Sequence, residues 1–165
     1  MQLIKAFYSK WGKMKPVSFI LTTTFLNFIL MIPIILVLIY FDIEENEIGG
    51  IDIEKYSFLG FFFLAVVFAP ILETLIGQAF PIKLTQKILQ NKLNIIPILI
   101  SATLFALMHF GYSIWYSLLT FPLGLLLAET YLIFQKRKES SFWVTTAVHS
   151  LRNLIGVISI YSGIE

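Results

Sequence analysis

Seven residues with reactive or hydrogen-bonding side chains fall inside stretches that are otherwise almost wholly apolar: Glu73, Gln78, His109, Glu129, His149, Arg152 and Asn153. A charge at membrane depth costs several kcal/mol unless it is paired, neutralised or hydrated, so an intramembrane carboxylate marks a candidate functional site. Glu73 is the first such residue, in the run Phe68-Ala69-Pro70-Ile71-Leu72-Glu73-Thr74-Leu75-Ile76-Gly77-Gln78. The chain has only two histidines, and both lie in apolar runs. A carboxylate with two imidazoles can take a proton from water and move it, which is the core of general acid–base hydrolysis.

The spacings add local content. His149 and Asn153 are four apart and share one helix face. Phe105 and His109 are also four apart, so the ring packs against the imidazole. Thr74 and Gln78 share that spacing and are expected to hydrogen-bond each other beside Glu73. Gly77, four after Glu73, lets another helix approach closely. Glu129 and Arg152 are read first as a structural pair or as snorkelling side chains, and only second as substrate contacts.

These residues need elements to hold them, and composition says which kind. Of 165 residues, 58% are hydrophobic and 13% charged, and mean hydropathy is +0.84. A soluble domain is nearer half apolar and a quarter charged. The expectation is an all-α, polytopic transmembrane bundle of about five spans: Val17 to Phe41, Tyr56 to Phe80, Asn94 to Phe110, Ile114 to Phe134 and Ser141 to Tyr161. About 20 residues suffice for each crossing. The absence of cysteine excludes disulfides, thiolate nucleophiles and cysteine-ligated metals. Nothing in the pattern points to nucleic acid.

Lysines and arginines set the expected orientation. Lys5, Lys10, Lys13 and Lys15 precede the first span. Lys83, Lys87 and Lys92 follow the second, and Lys136, Arg137 and Lys138 follow the fourth. The opposite side has only Lys55, so the N-terminus and the basic loops are expected in the cytoplasm. Residues 1–16 read as an interfacial segment with Phe7, Tyr8 and Trp11 at headgroup level. Residues 42–55, with six acidic residues, read as a solvated loop turning at Gly49-Gly50. The chain then divides into 1–55 (interfacial segment, first span, acidic loop) and a core at 56–165.

Three motifs in the core carry a family resemblance. They are Glu73-Thr74-Leu75-Ile76-Gly77-Gln78, Phe105-Ala106-Leu107-Met108-His109 and His149-Ser150-Leu151-Arg152-Asn153. In order and spacing they resemble the E-E-x-x-x-R, F-x-x-x-H and H-x-x-x-N/D motifs of the CPBP group of intramembrane metalloproteases (CAAX proteases and bacteriocin-processing enzymes, also called Abi). The chain departs from the family at Thr74 and Gln78, which stand where the family has Glu and Arg. Each motif alone is weak evidence; three in order in a chain of the right class are strong.

The resemblance implies an endopeptidase acting on a membrane-associated peptide or prenylated protein. Glu73 and His109 would activate water, His149 and Asn153 would stabilise the oxyanion, and Thr74, Gln78 and Phe105 would support the site. Glu73, His109 and His149 also form a His₂Glu set of the kind that holds catalytic zinc. A divalent metal and a metal-free glutamate–histidine mechanism suit the same residues. The expected setting is a multi-pass protein of a prokaryotic plasma membrane, with the lipid bilayer and a peptide or lipidated protein as partners. The rival readings are an inactive CPBP-like scaffold or bacteriocin-immunity protein, then a membrane protein with His109 and His149 as haem ligands, then a small transporter.

Overall fold

The computed structural model describes residues 2–90 and 95–162. They form seven helices: α1 (Gln2–Gly12), α2 (Pro16–Tyr40), α3 (Glu45–Ile48), α4 (Phe58–Leu89), α5 (Ile95–Met108), α6 (Ile114–Phe134) and α7 (Ser141–Ser162). Among the described residues there is no strand. The fold is an all-α helical bundle, and helices occupy all five places where spans are expected. The expected start of the third span, Lys92 and Asn94 included, lies outside the described residues.

Length and apolarity license three crossings, by α2, α4 and α6. With 14 residues, α5 reaches roughly 21 Å, short of the ~30 Å hydrocarbon core. With 22 residues α7 is long enough, but His149, Arg152, Asn153 and its hydroxyl residues make it less apolar. Burial separates the three apolar helices. In α6, 67% of the most apolar window is enclosed, against 17% in α2. So α6 is the central post, packed against α2, α4, α5 and α7. Val17, Leu21, Phe25, Ile32 and Leu36 of α2 are exposed, which suits a helix whose outer face meets lipid.

The contact between α5 and α6 is backbone-close because Gly124 carries no side chain. A Cβ there would lie 3.0 Å from Ala102 Cα and 3.1 Å from its carbonyl oxygen. Small residues at such a crossing allow close packing where helix association gains little from the hydrophobic effect.

Two expectations for the N-terminal part change. Trp11 is not at an interface; it is 4% exposed. Its Nε1–H donates to Thr23 Oγ1 (2.9 Å), and its indole stacks on Phe19 (centroids 5.0 Å), which meets Phe134 edge-on. An indole needs one polar partner when buried, and Thr23 of α2 supplies it. Phe7 and Tyr8 stay about half exposed. The acidic segment is also more than a solvated loop. α3 is closed by reciprocal Glu44–Glu47 capping. Gly49 (φ 71°) lies so near the Tyr112 carbonyl that a Cβ would come within 3.1 Å of it. The segment is therefore seated on the start of α6.

Candidate active site

The helix that carries Glu73 is not regularly wound. Two stretches, residues 63–68 and 74–79, form wide turns with i→i+5 bonding; Ala69 N–H bonds Leu64 O, and Phe80 N–H bonds Leu75 O. Each wide turn ends just before a proline, Pro70 or Pro81. Proline lacks an N–H and its ring crowds the carbonyl four residues back, and a wider turn relieves the clash. Glu73 stands between these turns, at the middle of α4. The expected span, Tyr56 to Phe80, put it late, whereas the helix runs on through Pro81 to Leu89.

The wide turns leave carbonyls without helical donors, and neighbouring helices supply them. The Ala65 carbonyl is skipped by Ala69 N–H, and the next residue is Pro70. Asn153 Nδ2 of α7 donates to it (2.8 Å). Pro81 cannot donate to Gly77 O, and Ser101 Oγ of α5 does (2.7 Å). The two prolines thus tie α4 to the helices bearing the other candidate residues. At Gly77 a Cβ would meet Phe105 Cδ2 at 3.1 Å, so this glycine admits the Phe105 ring.

At the centre, Glu73 Oε2 lies 3.6 Å from His109 Nε2 and 3.5 Å from His149 Nε2. His109 sits just past the end of α5, and its Nδ1 is 2.8 Å from the Phe105 carbonyl. A carbonyl only accepts, so Nδ1 carries the proton and Nε2 turns its lone pair to Glu73. Phe105 is fully buried and touches both imidazoles, at ring separations of 4.9 Å to His109 and 5.4 Å to His149. His149 is 2% exposed, and its Nδ1 has no hydrogen-bond partner. Glu73 Oε2 is likewise enclosed without a donor. Separations of 3.5–3.6 Å are too long for direct bonds and invite a bridging group.

A zinc ion bonded at ~2.0–2.1 Å would hold tetrahedral ligands about 3.4 Å apart, and the two carboxylate–imidazole pairs come near that spacing. The complete set does not: among the described residues no group of three His, Asp or Glu side chains is arranged to hold a metal ion.

Two expectations are corrected here. Thr74 and Gln78 do not bond each other; both are fully buried, and Thr74 Oγ1, Gln78 Nε2 and Gln78 Oε1 all lack partners. The reason is local, since they lie in a wide turn where the four-residue spacing of an α-helix no longer applies. Glu129 and Arg152 are not a pair. Glu129 accepts from Tyr8 OH (2.7 Å), whereas Arg152, among the described residues, forms no ion pair and makes a long 3.5 Å hydrogen bond to Asn153 Oδ1. Glu73, His109 and His149 meet because α5 is short and Glu73 is mid-helix.

Three participants escaped sequence reasoning. Tyr116 stacks on His109 (5.7 Å, 25°), and no spacing on one helix predicts a contact between α6 and the residue after α5. Ser101 and the bond from Asn153 to Ala65 were signalled, in retrospect, by Pro81 and Pro70.

Comparison with the curated proteins and with the solved structures finds no match. The family model for Rce1-like type II CAAX prenyl endopeptidases matches residues 55–155, a segment that contains Glu73, His109, His149 and Asn153 and covers well over half of the chain. The chain belongs to the Rce1-like family of type II CAAX prenyl endopeptidases.

Proposed function

We propose that the chain is an intramembrane endopeptidase whose base is Glu73. The observation that carries this reading is one carboxylate oxygen, Glu73 Oε2, set 3.5–3.6 Å from two imidazole nitrogens and free of any other donor. A water bonded to Glu73 Oε2 and His109 Nε2 would be held by two acceptors and aimed by them. Its oxygen attacks the substrate carbonyl while its proton passes to Glu73. His149, with its proton on Nε2, donates to the developing oxyanion, together with the second amide hydrogen of Asn153; the first is spent on Ala65 O. As the C–N bond breaks, Glu73 returns the proton to the leaving nitrogen. Each oxyanion donor of this kind is worth roughly 10²–10³ in rate.

The substrate class follows from the family and the setting: a peptide bond of a membrane-held, prenylated protein or a membrane-associated peptide. No step is assigned to a metal, since the donor set does not close around one. The haem alternative draws no support from the geometry, because the Glu73 carboxylate stands between the two imidazoles where a macrocycle would pass. An inactive scaffold remains the rival to test. Wild type, Glu73→Gln and His109→Ala are compared on a library of lipidated and unlipidated peptides. The proposal expects cleavage by wild type alone; cleavage that persists in both variants would sink it.

A further inference from the structure

A cavity of about 760 Å³ opens beside the candidate site, between the acidic segment and the faces of α4, α6 and α7. Pockets for small ligands typically hold roughly 300–1,000 Å³, so this one has room for several residues of peptide. Phe61, Ala65, Val157 and Ile160 give it apolar walls, and Arg152 and Asn153 stand on its α7 side. Tyr116 borders it too and carries the His109 ring on its face. The cavity therefore adjoins the site through Tyr116 and Asn153.

Arg152 is the one basic side chain on that lining. Among the described residues it makes no ion pair. Among these residues its Nε is enclosed without a hydrogen-bond partner, and the one hydrogen bond its guanidinium makes is the long 3.5 Å approach to Asn153 Oδ1. Glu45 borders the cavity from the opposite, loop side but does not pair with it. A guanidinium kept in apolar surroundings without an anion is costly unless a ligand supplies one. Its planar fork matches a carboxylate, which it binds through two parallel hydrogen bonds.

We propose that Arg152 is the receptor for the free C-terminal carboxylate of the substrate, whose last apolar side chains fill the cavity beside it. Arg152 lies three residues after His149, one turn along the same helix. Glu45, from α3, is the one acidic side chain on the lining. This inference takes its substrate from the endopeptidase reading, but binding tests it independently of cleavage.

The measurement uses full-length Glu73→Gln protein in lipid nanodiscs. Fluorescence anisotropy follows binding of a prenylated peptide with a free C-terminus and of the same peptide as a C-terminal amide. The free acid is expected to bind at least tenfold tighter, since a charge-assisted bidentate contact is lost in the amide. Adding Arg152→Gln should bring the acid down to the affinity of the amide and leave the amide unchanged; Arg152→Lys should keep part of the preference. Equal affinities for acid and amide before Arg152 is changed, or a preference that survives Arg152→Gln, would overturn the proposal. Cleavage by wild type is read alongside. Acid preference without cleavage removes the endopeptidase reading and leaves the carboxylate site standing; cleavage without acid preference does the reverse.

Discussion

Two carboxylates lie in apolar helices of this protein, and their surroundings differ in kind. Glu129, on α6, accepts a hydrogen bond from the Tyr8 phenol of α1. It borders a smaller cavity shared with Lys136 and Arg137, near the place where Arg137 fastens the basic loop to the Gly12 and Met14 carbonyls. Glu73, on α4, has an enclosed oxygen with no donor, facing two imidazoles. The first carboxylate is satisfied by a fixed partner and helps to dock α1. The second is held where a mobile proton or a water must complete it. An intramembrane charge alone therefore does not mark a reactive group; what separates the two is whether the protein supplies the final hydrogen bond.

The largest expected effect breaks that comparison directly. Glu73→Gln keeps shape and volume and should lower peptide turnover by roughly 10²–10⁴, the usual worth of a positioned general base. Glu129→Gln should leave turnover unchanged in the same assay. Equal losses would mean that both carboxylates act through stability.

His149→Ala comes next. Loss of a donor to the oxyanion should cost roughly 10²–10³ in kcat with little change in KM. A rise in KM at constant kcat would instead place His149 in substrate binding.

Tyr8→Phe sharpens the other side. It removes the donor to Glu129 and should reduce thermal stability by at most about 1 kcal/mol, because the pair is partly exposed, while turnover stays at wild-type level. The same phenol gives a pH test. Burial first, then the hydrogen bond and charge of Glu129, raise its pKa well above the ordinary 10.0. Because the folded value is the higher one, its contribution is complete below about pH 10 and is lost as pH rises further. Wild type and Tyr8→Phe should therefore differ in melting temperature near pH 9, and the difference should shrink as the pH rises above the ordinary tyrosine range. A difference that persists would argue against the Tyr8–Glu129 bond.

The smallest expected effect is none. A chelator should leave turnover intact, since no described triad is arranged to hold a metal. Loss of activity that zinc restores would show that the two carboxylate–imidazole edges close into a metal site in the working enzyme.

The legibility of the molecule varied for physical reasons. Helices were readable because a long apolar run in lipid must satisfy its own backbone bonds. The His149–Asn153 spacing was readable because it lies on a regular turn of α7, and the Phe105–His109 spacing because α5 stays helical to Met108 and His109 follows it directly. The Thr74–Gln78 pairing was misread because it assumed such a turn where Pro81 imposes a wider one. Trp11 was misplaced because aromatic residues beside a span serve equally as interfacial anchors or as core, and only Phe19 and Thr23, on another helix, decide between them.

The sequence by itself determined the all-α membrane class, the places of the five helices that occupy the expected spans, the order of the three motifs and the family they carry. All of these depend on local composition and on spacing along one chain. The tertiary structure alone decided that Glu73 faces both imidazoles while Glu129 faces a phenol, that Asn153 and Ser101 bond the carbonyls left by two prolines, and that Arg152 faces a cavity with no anionic partner among the described residues. Those facts join different helices. Side-chain contacts across a bundle depend on helix rotation, bulges and close approaches, and no spacing within one segment encodes them.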